Sequence, residues 1–170
     1  MFNRATASLS VIALLFLLGL TRSRAEEAPD TAVVKALDGA RVTLEEGLRM
    51  SEAVGKPISA KFEIENGRLQ LSVYAMANDE YKEIVIAPDT GVLMSAQKIS
   101  DAEDLAAAAT QMRAIKDARV PLRRAVEQAT SKMTGSRGVS VSPALQDGRP
   151  VAKVTLLRAG TLTTVDEDIR

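Results

Sequence analysis

Carboxylates are the main reactive groups in this chain, and they fall in short runs: Glu45-Glu46, Glu63 with Glu65, and Asp166-Glu167-Asp168. Two carboxyl groups held close in a water-poor site can divide into an acid and a base, because burial and like charge raise one pKa above the other. None of these runs has the sequence surroundings that such chemistry needs. Glu45-Glu46 opens a helix, Glu63 and Glu65 alternate with apolar residues on the wet side of a strand, and Asp166 to Asp168 form a terminal tail. Each reads as solvated surface. Asp89 and Thr90, with Asp79 and Glu80 upstream, could offer oxygens to a hard cation. Calcium takes about six to eight oxygens, more than these side chains supply, and turn formation already accounts for Asp89. Ser136, Ser140 and Ser142 have no histidine to activate them and no Ser-Lys signature around them. Gly135-Ser136-Arg137-Gly138 lacks the lysine and the helix of a phosphate loop.

Cysteine and histidine are both absent, which removes the commonest nucleophile, the neutral-pH base and the usual zinc and copper ligands together. No residue is assigned a catalytic, cofactor-binding or metal-ligating role, and no cofactor is expected. The formal charge of the 170 residues is zero, but the first 25 hold three of the 22 basic side chains (Arg4, Arg22 and Arg24) and none of the 22 acidic ones, so the remainder is acidic by three. With no basic stripe, sequence-independent nucleic-acid binding is excluded.

The elements that must position any site begin after that leader. Leu9 to Leu20 is an apolar run broken only by Ser10 and Gly19, shorter than the roughly 20 residues of a spanning helix. Ser23-Arg24-Ala25 places small residues at the −3 and −1 positions, so the segment reads as a signal peptide, 1–25, cleaved after Ala25. The alternative is an uncleaved N-terminal anchor. Residues 26–41 read as an acidic tether with a short edge strand over Ala32 to Leu37.

Thr43-x-x-Glu46 is a capping box, and Leu44, Gly47 and Leu48 keep the spacing of a buried helical stripe. Gly47 costs helix propensity, which predicts a close approach to a sheet. Gly55-Lys56-Pro57 stops the helix. Ile58, Ala60, Phe62 and Ile64 alternate with polar residues, Asn66-Gly67 supplies a tight hairpin turn, and Leu69, Leu71, Val73 and Ala75 resume the alternation. Tyr81 to Ala87 is a third strand. Pro88-Asp89-Thr90-Gly91 turns it toward a strand restart at Val92 and Leu93, with Gly91 held for its backbone freedom. Ser100-x-x-Glu103 predicts a cap for an Ala-rich linking helix within 99–119, its Leu105, Ala108, Ala109 and Met112 on one face.

A second copy of the pattern follows over 120–170. Leu122, Ala125, Val126 and Ala129 repeat the spacing of Leu44, Gly47, Leu48 and Ser51, and Asp147-Gly148-Arg149 stands where Asn66-Gly67-Arg68 stood. Pro143 demotes the first strand of this copy to an edge or a bulge, and Thr161 to Val165 is its third strand.

The capped helix at Thr43, the Asn66-Gly67 hairpin and the stretch Lys82 to Leu93 with its Asp89-Thr90-Gly91 turn together resemble the PepSY family, well over 42–98 and partially over 120–170. The resemblance implies an α+β fold: a tandem repeat of a helix followed by a three-stranded antiparallel sheet, joined by the linking helix. It also implies a non-catalytic, periplasmic or secreted binding or regulatory protein, because PepSY segments occur in propeptides of secreted metallopeptidases. The expected partner is a protein, an envelope or secreted peptidase in the sharpest version, met through a sheet edge or hairpin. The rival expectation is a periplasmic sensor of a small ligand or metal, bound in a groove between the repeats. Oligomeric state stays open, and no stable membrane span is expected once the leader is removed.

Overall fold

The structure, a computed structural model, describes residues 27–170. The leader and its cleavage point after Ala25 lie outside the described residues. No helix among the described residues is long and apolar enough to cross a membrane.

The expected pair of three-stranded sheets is not what the chain builds. Seven strands form a single antiparallel sheet in the order β4-β3-β2-β1-β5-β6-β7. They are β1 (Lys56–Glu65), β2 (Arg68–Ala77), β3 (Glu80–Ile86), β4 (Leu93–Lys98), β5 (Arg137–Gln146), β6 (Arg149–Arg158) and β7 (Thr161–Asp168). Two features overturn the tandem arrangement. The restart after Gly91 is a full fourth strand pairing with β3, and β1 joins β5 through Ala60 opposite Val141 and Lys61 opposite Ser140. The physical reason is edge cost. Two small sheets would leave β1 and β5 as open edges over two marginal cores, whereas pairing them removes both edges and merges the apolar faces.

Pro143 therefore does not mark an edge strand. β5 is interior, and its ladder with β1 is confined to the Ser140-Val141 step, so Pro143, which has no N–H to give, lies just past the paired stretch while still facing Ala152 of β6. The terminal acids are not a tail either, since Asp166, Glu167 and Asp168 are strand residues opposite Lys153, Ala152 and Val151.

Strand alternation gives the sheet one apolar and one polar face. On the apolar face, α2 (Leu44–Ser51) and α4 (Leu122–Lys132) lie together and bury Leu44, Leu48, Leu122 and Val126 against Leu71, Val73, Ile84, Val141 and Leu156. Burying side chains of this size is worth about 1.5–3 kcal/mol each before chain entropy is counted, so this layer dominates the stability. Gly47 does mark a close approach: a Cβ there would sit 2.2 Å from Leu71 Cδ2. Gly138 plays the same part where the helices cross β5, with Val126 Cγ1 at 2.9 Å and Leu44 Cβ at 3.2 Å. The capping box forms, Thr43 N donating to Glu46 Oε2 at 2.8 Å and Glu46 N to Thr43 Oγ1 at 3.1 Å.

Residues expected as a tether and edge strand are instead helical. α1 (Glu27–Ala36) runs into a single 3-10 turn, Leu37–Gly39, and contributes Val33 and Leu37 to the core. Those two are four apart, a helical spacing that the short apolar run disguised as a strand. α3 (Ala102–Ala114) crosses the polar face over β1 and β5, and its cap is Asp101, not Ser100. Asp101 Oδ1 accepts from Glu103 N at 2.9 Å and Asp104 N at 3.2 Å.

Candidate functional site

Two places combine unusual chemistry with position: the polar patch under α3, and the outer edge at β4. The patch follows from strand alternation. Ser59, Lys61 and Glu63 of β1, Ser72 and Tyr74 of β2, and Glu83 of β3 all project to the polar face, with Ser59 opposite Tyr74 and Tyr74 opposite Glu83. α3 then closes over them, Ser59 Oγ donating to Gln111 Oε1 at 2.8 Å. Lys61 pairs with Glu63 at 2.7 Å, and Gln70 Nε2 donates to Ser72 Oγ at 3.0 Å.

Three buried polar atoms in this patch have no hydrogen-bond partner: the Tyr74 hydroxyl, Glu83 Oε1 and Asp104 Oδ1 of α3. Burial pushes the Glu83 carboxyl above its ordinary range; Glu63 and Asp104 push the same way, while Ser72 and Lys61 oppose. Asp104, 8% exposed, is raised by burial first and then by Asp101, Glu103 and Glu63, with Lys61 again opposing. Tyr74 is raised by burial and by Glu83, Glu63 and Asp104, so its phenol stays protonated. One lysine among three acids leaves the patch short of positive charge. It can hold a proton, but among the described residues no group of three or more acids converges closely enough to hold a metal ion.

Sequence reading singled out only Glu63 of this set. Tyr74 and Glu83 were legible in principle, because the Asn66-Gly67 turn fixes the β1–β2 register and the next hairpin sets Tyr74 against Glu83. Asp104 was not, since nothing local says that α3 folds back over the polar face.

The remaining sequence candidates are dispersed. Glu46 is used in the α2 cap, Glu45 lies 3.5 Å from the Thr130 hydroxyl that donates to it, and Glu65 accepts from Asn66 Nδ2 at 3.3 Å. Asp166 pairs with Lys153 at 3.1 Å, buried Glu167 with Lys132, and Asp168 with Arg170. Asp79 occupies a tight turn at φ +61°, and Glu80 pairs with Lys98 at 2.7 Å. Ser142 is buried and the Ser136 hydroxyl is buried without a partner. Ser140 faces Lys61 across the β1–β5 pairing and Ser142 faces Lys153 across β5–β6, but the two ammonium groups are already held by Glu63 and Asp166.

Asp89, Thr90 and Gly91 form the β3–β4 turn. Gly91, at φ +74°, donates its N–H to Ala87 O at 2.8 Å, and Ala87 N donates to Val92 O at 2.9 Å. Arg41 N and Val42 N both donate to Pro88 O, at 2.8 and 2.9 Å, which ties the turn to the start of α2. What the turn positions is β4. Among the described residues that strand pairs only with β3, and Val92, Leu93 and Met94 are 59%, 44% and 64% exposed.

No family model matches the chain, and no curated protein matches it. Among solved structures, a Clostridium difficile protein provisionally called a lipoprotein aligns over 77% of this chain and 88% of its own, with 14% identity and a TM-score of 0.41, a likeness too loose to carry fold or function across.

Proposed function

We propose that the protein is a non-catalytic, exported binding or regulatory module that engages its partner by strand addition at β4. One observation carries this reading: the outer edge of β4 has no strand beside it among the described residues, and its first residues expose apolar side chains. An added strand would satisfy the free backbone groups while Leu93 and Met94 supply apolar contact. Export rests on the composition of residues 1–25, and the choice of a secreted or envelope peptidase as partner rests on the PepSY resemblance. The absence of an activated nucleophile in the sequence favours a binding role over a hydrolytic one.

The test is capture of an envelope peptidase by the mature protein, followed by assay of that peptidase on mixing. Retention and inhibition by the wild type, both abolished by Ser95→Pro with Met94→Lys, are the expected results. Inhibition that survives the edge-blocking variant would refute strand addition, and a retained peptidase whose activity is unchanged would refute regulation.

A further inference from the structure

We infer that the groove bounded by the end of α2, the start of β1 and the α3–α4 connection is a binding site for a small amphiphile with an anionic head, a medium-chain alkyl carboxylate. This site is separate from the β4 edge and does not depend on the strand-addition reading. The groove encloses about 530 Å³, within the size range of small-molecule sites. Leu48, Pro57, Ile115 and Leu122 give it aliphatic walls.

Charge decides the head group. Lys56, Arg119 and Arg123 line the groove against a single acid, Glu52. Arg123 is partly committed: its Nη1 meets Glu127 Oε1 at 2.6 Å, while its Nε is buried without a hydrogen-bond partner, 3.8 Å from Glu52 Oε1. Lys56 and Arg119 are exposed and enter none of the ion pairs among the described residues. Two uncommitted cations above an apolar floor match a carboxylate on an alkyl chain, since a charge-assisted contact is stronger than a neutral one.

Backbone accounting argues for an alkyl chain over a peptide. Arg119 N and Val120 N already donate to Ile169 O at 2.8 and 3.1 Å, and Gly55 N to Ser51 O at 3.1 Å. A peptide laid in the groove would lose water from its own amides without finding these as partners, a cost that an alkyl chain avoids.

Titration calorimetry with decanoate, below its micelle threshold, tests the site against decanol and decyltrimethylammonium. Decanoate should bind saturably and raise the melting temperature, while the neutral and cationic analogues bind about tenfold more weakly or worse. Lys56→Ala with Arg119→Ala should weaken decanoate by about tenfold or more and leave decanol unchanged, because the lost contacts are charge-assisted. Equal affinity for decanoate and decanol, no saturable binding, or an unaltered double variant would each overturn the proposal. Should the double variant fold poorly, amide shifts of the wild type decide: perturbation by decanoate centred on Leu48, Ile115 and Leu122 supports the site, and perturbation elsewhere refutes it.

Discussion

β7 closes the sheet on one side with side chains that are already engaged. Asp166 is held by Lys153, Glu167 by Lys132 and Asp168 by Arg170, and three acids in succession repel a second copy of the same strand. β4 closes the other side with Leu93, Met94, Ser95, Ala96 and Gln97, and its one ion pair among the described residues, Lys98 with Glu80, sits at the far end. Both are outer strands of one sheet, yet β7 carries three successive acids where β4 carries a single lysine at its end. The halves differ in the same direction elsewhere. The polar face of β1–β3 holds an ionisable patch under α3, whereas β6 and β7 display a plain ladder, Lys153 with Asp166 and Thr155 with Thr164 at 3.0 Å. The ionisable patch and the apolar outer edge thus both belong to the half built from β1 to β4, while the buried unpartnered atoms outside that half, on Arg123, Ser136 and Arg137, are not acids.

The largest effect that would break this comparison lies in the helix layer. Gly47 and Ala125 occupy matched places on α2 and α4, and both are buried. Gly47→Ala should destabilise by about 1–3 kcal/mol through overpacking against Leu71, and Ala125→Gly by about 1 kcal/mol through lost helix propensity. Urea denaturation measures both, and a neutral Gly47→Ala would remove the close contact of α2 with Leu71 as a constraint on the helix layer. Next, the hairpin turns differ: Asn66-Gly67 and Asp147-Gly148 place favourable residues at positive φ, but Ala159 is forced to φ +48°. Ala159→Asn should stabilise by about 1 kcal/mol, read as a higher melting temperature.

A smaller effect concerns acidity. Glu83 and Asp104 bind protons more tightly in the folded chain than in the unfolded one. Their contribution is therefore complete below the ordinary carboxylate range and is lost as pH rises through the elevated values. Glu83→Gln should flatten that part of the stability profile, and an unchanged slope would remove Glu83 from the account. The smallest expected change in stability is at the edge. Leu93→Lys with Met94→Lys should alter it by no more than about 0.5 kcal/mol because both side chains are exposed, while partner capture is lost.

Local structure was legible wherever a residue's neighbours in sequence settle its conformation. The Thr43-Glu46 cap, the Asn66-Gly67 and Asp147-Gly148 turns and the buried stripes of α2 and α4 all rest on contacts within a few residues. α1 was misread because a short apolar run fits a strand as well as one buried side of a helix, and the cap of α3 moved by one residue because Ser100 and Asp101 compete for the same amides. The candidate sites were less legible. Glu63 was visible as an acid, but its company of Tyr74, Glu83 and Asp104 comes from three other elements, and the cations at Lys56 and Arg119 meet only because the chain after α3 returns to the base of β1.

Alternation and capping, written in the residues themselves, determined which segments become strands and helices and which side of each is apolar. Whether the two halves stay apart was decided only in three dimensions, by the pairing of β1 with β5. That choice hangs on the free energy of hiding two edges and merging two small apolar faces, a quantity belonging to no single segment, and it also determined that β4 and β7 would be the outer strands.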